Sequence, residues 1–130
     1  HRHDIVVIFA GYPEPMNRLL AFDPGLKSRI KNTIPFEDYN SKQLLEIFLN
    51  LFQQKFPELV FPENLQVLVV DFFEKARQRE EKNFGNARVA RVFMENLELC
   101  MMLRWDETNQ STGVVEQDIQ NAIEDYFVSL

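Results

Sequence analysis

The sequence predicts a mainly α-helical protein in which a four-helix domain follows a shorter segment of mixed pattern. Apolar residues recur at helical spacing from Asn40 to the end of the chain, and turn residues divide this stretch into four parts. Before Tyr39 the pattern is different, since β-branched apolar runs alternate with short helical stretches. We therefore divide the 130 residues into segments 1–38 and 39–130.

The first segment is predicted to contain two short strands and one or two short helices. The continuous apolar run Ile5–Ala10 is typical of a strand that is buried on both faces of a parallel sheet. Pro13–Phe22 predicts a helix, and Leu26–Ile30 predicts one further turn after a proline–glycine break. Thr33–Phe36 predicts a second strand, whose proline limits its ladder pairing.

The second segment is predicted to contain four helices. Asn40 can cap the first of them in a capping box with Gln43. Pro62 suits the first turn of the second helix. The predicted bounds are Asn40 or Ser41 to Phe56, Pro62 to about Lys82, Ala87 to about Trp105, and Val114 or Val115 onward.

Composition excludes several classes of function. The formal net charge of −6 counts against broad binding of nucleic-acid backbones, which needs clustered cations. No apolar run approaches the roughly 20 residues of a membrane helix. The single cysteine, Cys100, excludes an internal disulfide and favours a cytoplasmic protein. Because the chain does not begin with Met, we expect its first residue to be an internal cut.

Three arginines are placed where they can meet phosphate oxygens, to which a guanidinium donates two parallel hydrogen bonds. Arg29 ends a short helical turn, at the position from which a side chain can project at a subunit edge. Gly85 allows a tight turn before the third long helix, and Asn86 can cap that helix. Arg88 lies in the first turn of the same helix, and Arg91 lies one turn later on the same face. A cation in the first turn of a helix interacts unfavourably with the helix dipole, so a nearby anion would explain the position of Arg88.

The residues alone also allow simpler interpretations of these positions. The arginines can be solvated surface side chains, and those of the third helix can pair with Glu80, Glu81 or Glu95. Tyr12, just beyond the first predicted strand, occupies a place where α/β proteins put ligand-facing groups. The sequence contains no Gly-x-x-x-x-Gly-Lys-[Ser/Thr] motif, so it cannot cradle a triphosphate or hold Mg²⁺ in the P-loop manner.

Taken in order, five stretches resemble the CbxX/CfqX type of AAA+ ATPase. They are Val6–Glu14 with Met16, Pro24–Ile30, Phe36–Tyr39, Leu44–Ile47 and Phe84–Arg88. The resemblance spans almost the whole chain, and the ordered combination is specific. It implies that residues 39–130 form the helical lid of an AAA+ module and that residues 1–38 are a remnant of its α/β nucleotide-binding core.

The resemblance also implies roles for individual residues. Arg29 resembles the arginine finger that acts across a subunit interface, and Arg88 resembles the sensor-2 arginine, with Arg91 as a second candidate. Tyr12 falls in the sensor-1 region, where most AAA+ proteins have a small polar residue. The complete protein would bind ATP with Mg²⁺, assemble as a homo-hexamer and remodel a protein substrate, without a role for nucleic acid or membrane. The present segment would be inactive alone.

In the implied fold, the P-loop strand separates the two strands of the first segment, and the chain lacks that strand. We therefore expect residues 1–38 to be rearranged, paired with another copy or poorly ordered, whereas the helical part should fold by itself. Two alternatives stay open. One is a helical protein-interaction module derived from an AAA+ lid. The other is a helix-turn-helix DNA binder that reads with Ala87–Trp105, although the acidic charge counts against it.

Overall fold

A computed structural model of the protein describes residues 5–30, 32–80 and 84–129. The chain divides into two units, the first ending at Phe36 and the second beginning at Glu37. The described residues contain six α-helices and one 3₁₀ turn. They are α1 (Pro13–Phe22), α2 (Pro24–Arg29), α3 (Ser41–Lys55), the 3₁₀ turn Glu63–Leu65, α4 (Gln66–Arg79), α5 (Ala87–Thr108) and α6 (Glu116–Val128).

In the first unit, α1 and α2 are joined at a single residue, Asp23. Its backbone N–H donates to the carbonyl of Leu19 and ends α1, while its side-chain oxygen accepts from the N–H of Leu26 at 3.2 Å and begins α2. Pro24 takes the first position of α2, where its missing N–H costs nothing. The second helix therefore starts two residues before the predicted Leu26.

The prediction of two strands is wrong for the part of the chain that the structure describes. Residues 5–12 and 32–36 have no regular secondary structure, and no β-strand occurs among the described residues. Ile8 is 84% exposed and Phe36 is 89% exposed. A strand needs neighbouring backbone to pair its N–H and C=O groups, and the described residues provide no such partner here.

The second unit packs α3, α4, α5 and α6 around one core, which confirms the predicted four-helix domain. Helix α5 packs against both α3 and α6, and α4 packs against α3. Phe93 of α5 lies between the rings of Phe48 and Phe72, with ring centroids 5.4 and 4.5 Å away. Aromatic rings thus fill the centre, where each buried Phe removes a large apolar area from water.

Local signals set the ends of these helices. The capping box at α3 is confirmed: the side chain of Asn40 accepts from the N–H of Gln43 at 2.8 Å, and the reverse bond measures 3.0 Å. Helix α4 ends at Arg79, while Lys82, the predicted end, lies outside the described residues. Helix α5 continues to Thr108, and its C-cap residue Asn109 has a left-handed φ of 57°.

Over the stretches of chain that the structure covers, none of the helices combines the length and hydrophobicity needed to cross a membrane.

Candidate functional site

The start of α5 carries two of the predicted site residues and is built by a tight turn. Phe84 is buried in the core and anchors the turn, and Gly85 follows it. The left-handed residue is Asn86, with φ 49° and ψ −120°, whereas no described glycine has a positive φ. The chain therefore turns into the helix at Asn86, although the sequence suggested that Gly85 provides the turn.

The side chain of Asn86 does not cap α5, contrary to the sequence-based expectation for this position. Its amide oxygen accepts from the backbone N–H of Tyr39 at 2.8 Å, and its amide nitrogen donates to the carboxylate of Asp38 at 2.9 Å. The first turn is closed by the backbone alone, with a bond of 3.0 Å from the N–H of Arg88 to the carbonyl of Gly85. The amide therefore contacts two residues, Tyr39 and Asp38, that lie 47 and 48 positions earlier in the sequence.

Arg88 and Arg91 both lie on the exposed face of α5, one turn apart. Val89 and Ala90 between them are buried in the core, and this orients the two arginines outward. The first turn of the helix contains no acidic residue. Among the ion pairs that the described residues form with one another, none includes Arg88 or Arg91.

The predicted alternative of ion pairs to nearby glutamates is therefore not seen for Glu80 or Glu95 in the described part of the chain, and Glu81 lies outside it. Glu80 instead accepts a hydrogen bond of 2.6 Å from the hydroxyl of Tyr126. Burial, and then the hydrogen bond and negative charge of Glu80, raise the pKa of Tyr126, while the positive charge of Arg88 acts in the opposite direction. The phenol therefore stays protonated, and it connects α6 to the end of α4 close to Arg88.

The other two predicted site residues lie in the first unit. Arg29 is the last residue of α2 and is exposed. Tyr12 immediately precedes α1, and its carbonyl accepts the helix's first hydrogen bond from the N–H of Met16 at 3.0 Å. The sequence placed Tyr12 at the end of a strand. It instead stands at a helix start, with its side chain half exposed.

Comparison with known proteins gives one family match and a consistent group of relatives. Residues 40–125 match the family model described as AAA lid domain. Protein CfxQ of Xanthobacter flavus is 34% identical over 107 residues, which is 82% of this chain and 32% of that protein. The CfxQ homolog of Cyanidium caldarium is 34% identical over 98 residues, covering 75% of this chain and 33% of that protein.

A chloroplastic ribulose bisphosphate carboxylase/oxygenase activase of Cyanidioschyzon merolae is 35% identical over 98 residues, covering 75% of this chain and 32% of the activase. The chain thus spans about a third of the length of the curated relatives it matches. No solved structure matches.

The four-helix unit with its arginine-bearing α5 is therefore the helical lid of an AAA+ module. The chain belongs to the AAA lid domain family, and its relatives are CfxQ-type proteins. This confirms the resemblance to the C-terminal part of CbxX/CfqX-type AAA+ ATPases that the ordered motifs indicated.

Proposed function

We propose that this chain provides the lid of an AAA+ ATPase that couples ATP hydrolysis to protein remodelling, with Arg88 as the sensor-2 residue that contacts the phosphates. The observation that carries the proposal is the placement of Arg88. Its side chain is exposed in the first turn of α5, without an acidic neighbour in that turn and without an ion pair to any described residue.

Electrostatics at the start of α5 favour an anion. The unpaired N–H groups of a helix start act as roughly half a positive charge, and Arg88 and Arg91 add two full charges on the same face. Such a surface repels cations and suits phosphate oxygens, which accept paired hydrogen bonds from guanidinium. ATP and its Mg²⁺ would be gripped by a nucleotide-binding core with a phosphate loop, and Arg88 would approach the phosphates from the lid.

The proposal gives Arg29 the role of arginine finger, acting on ATP bound by the neighbouring subunit of a homo-hexamer. Two features support a projecting position. Arg29 is exposed at the end of α2, and that short helix is stabilised at its start by Asp23 and by a 2.9 Å bond from the hydroxyl of Ser28 to the carbonyl of Gly25. Tyr12 would belong to the sensor-1 region. The proposal also includes a cytoplasmic location, in accordance with the unpaired Cys100.

The test measures ATP hydrolysis and ATP affinity in the full-length protein. Loss of a charged hydrogen-bonding group is worth about 1.5–3 kcal/mol, so Arg88→Ala should lower kcat/KM by roughly 10- to 150-fold. Arg91→Ala should have a smaller effect. Arg29→Ala should reduce kcat by about 10³-fold or more while ATP affinity is retained, as for other arginine fingers.

Lys42→Ala provides a matched control, because Lys42 is an exposed cation at the second position of α3, as Arg88 is at the second position of α5. This variant should keep wild-type hydrolysis and affinity. A full-length Arg88→Ala variant that hydrolyses ATP as fast as wild type would refute the sensor-2 assignment. Normal turnover in Arg29→Ala would refute the finger.

A second candidate is the helical interaction module. Exposed apolar side chains recur at positions i, i+3 and i+4 of α5, namely Leu99, Met102 and Leu103. Absence of ATP binding and hydrolysis in the full-length protein would favour this candidate over an ATPase. The helix-turn-helix alternative loses support, because α5 is the central helix of the core and the net charge is −6.

A further inference from the structure

Asn86 combines two unusual features that a helix start does not require. Its backbone adopts φ 49° and ψ −120°, a region in which side chains other than glycine are strained. Its side chain leaves the N–H groups of α5 uncapped, although Asn is among the best N-cap residues. An arrangement that forgoes a cap and accepts strain indicates that the amide is needed for another purpose.

The amide of Asn86 instead holds the chain segment that opens the second unit. The segment Asp38–Tyr39 stands between the end of the first unit at Phe36 and the first turn of α3. Asn86 contacts it through one accepted and one donated hydrogen bond, of 2.8 and 2.9 Å, and the donated bond goes to a carboxylate. Bonds to a charged partner are stronger than those between neutral groups.

We propose that Asn86 is a positioning residue that fixes the start of α5, and therefore Arg88 two residues later, to the segment Asp38–Tyr39 through which the lid is connected to the preceding unit. This inference rests on the proposed sensor-2 role of Arg88. Any displacement of Asp38–Tyr39 would be passed to the start of α5 through the amide. Asn86 itself does not touch ATP in this proposal.

The decisive experiment is a double-mutant cycle in the full-length protein, with kcat/KM for ATP as the measured quantity. Asn86→Gly removes the amide and allows the same backbone conformation without strain. On its own it should lower kcat/KM by about tenfold, the size expected for losing a hydrogen bond to a charged partner. In the Arg88→Ala background the same substitution should cause no further loss, because the residue being positioned is gone.

Asn40→Gly is the matched control. Asn40 directly follows Tyr39 and also engages the chain through its amide, but its bonds belong to the capping box of α3. It should leave kcat/KM unchanged. In the isolated chain, the backbone N–H of Tyr39 should exchange faster with deuterium in Asn86→Gly than in wild type, and melting curves should show that every variant is folded.

Exchanging the amide and the carboxylate between positions 86 and 38 provides a rescue test. Asn86→Asp places a second carboxylate against Asp38 and should lower kcat/KM, whereas adding Asp38→Asn restores a donor and an acceptor and should recover most of the loss. Three results would overturn the positioning role while leaving the sensor-2 role of Arg88 intact. They are equal losses of kcat/KM from Asn86→Gly in both backgrounds, an Asn86→Gly variant with wild-type kcat/KM, and no recovery of kcat/KM when Asp38→Asn is added to Asn86→Asp. A neutral Arg88→Ala would instead overturn the proposed function and the positioning role together.

Discussion

The surroundings of the Cys100 thiol favour its protonated form. It is buried in α5, and its thiol donates to a carboxylate oxygen of Asp125 at 3.7 Å. Burial raises the pKa of the thiol from 9.0 to about 11, and the negative charges of Asp125 and Asp118 act in the same direction. A thiolate at this position would be desolvated and would face two carboxylates, so the folded protein resists deprotonation.

The sign of the resulting pH dependence follows from linkage. A folded-state pKa above the unfolded value means that the contribution of Cys100 to stability is complete below pH 9.0 and is lost as the pH rises toward about 11. The free energy of unfolding, measured by urea titration across this range, should therefore fall more steeply in wild type than in Cys100→Ala. The difference between the two curves isolates Cys100 from the lysines and Tyr126. Parallel curves would contradict the raised pKa.

At the scale of elements, one ion pair fixes the connection between α5 and α6. The guanidinium of Arg104 donates to both carboxylate oxygens of Asp118, with its Nε 2.9 Å from the first, and also donates to the carbonyl of Gly113 at 2.6 Å. Asp118 also accepts from the N–H of Val115 at 3.0 Å, which caps the start of α6. Asp118 is 2% exposed, so its charge depends on Arg104 for compensation.

Removing one partner of this pair should be costly. Arg104→Ala leaves a buried carboxylate without its cation, and we expect the free energy of unfolding to fall by about 3–5 kcal/mol. Arg104→Lys keeps the charge but lacks the planar fork, so it should recover only part of the loss. The matched control is Lys75→Ala, because the Lys75–Asp71 pair is exposed and should contribute less than about 1 kcal/mol. Equal effects in chemical denaturation would contradict this account.

The contrast between short-range and long-range contacts explains what the sequence could predict. The bounds of α1 and the capping box of α3 were predictable because proline and the Asn40–Gln43 spacing act within one helical turn. The bond between Tyr126 and Glu80 joins residues 46 positions apart, and no local pattern marks it. The strand prediction failed at Ile5–Ala10 for the same reason: an apolar run specifies a buried strand only when a partner strand lies beside it.

The same contrast between short-range and long-range contacts holds for the candidate site. That Arg88 and Arg91 share one exposed helix face was predictable from their spacing of three residues. The tie from Asn86 to Asp38 and Tyr39 was not, since Asn before a helix normally indicates a cap. The Gly85–Asn86 pair before the helix indicates a turn, but it does not reveal which residues the amide of Asn86 contacts.

For the whole molecule, burial is concentrated in the second unit. Every buried residue among those described lies between Ser41 and Tyr126, and helices α1 and α2 have none. The hydrophobic effect scales with apolar area removed from water, so the free energy of folding should come almost entirely from α3 to α6. The first unit contains exposed Val6, Ile8 and Phe22 in place of a core.

A chain consisting of residues 37–130 should therefore fold by itself. We expect its cooperative urea transition to retain the midpoint and slope of the 130-residue chain, because the slope reports the surface exposed on unfolding and that surface belongs to the four-helix core. Phe93→Ala is the positive control, since it removes a central ring and should destabilise both chains by about 3–5 kcal/mol. A shortened chain that unfolds without a cooperative transition, or with a much smaller slope, would mean that the first unit contributes to the core.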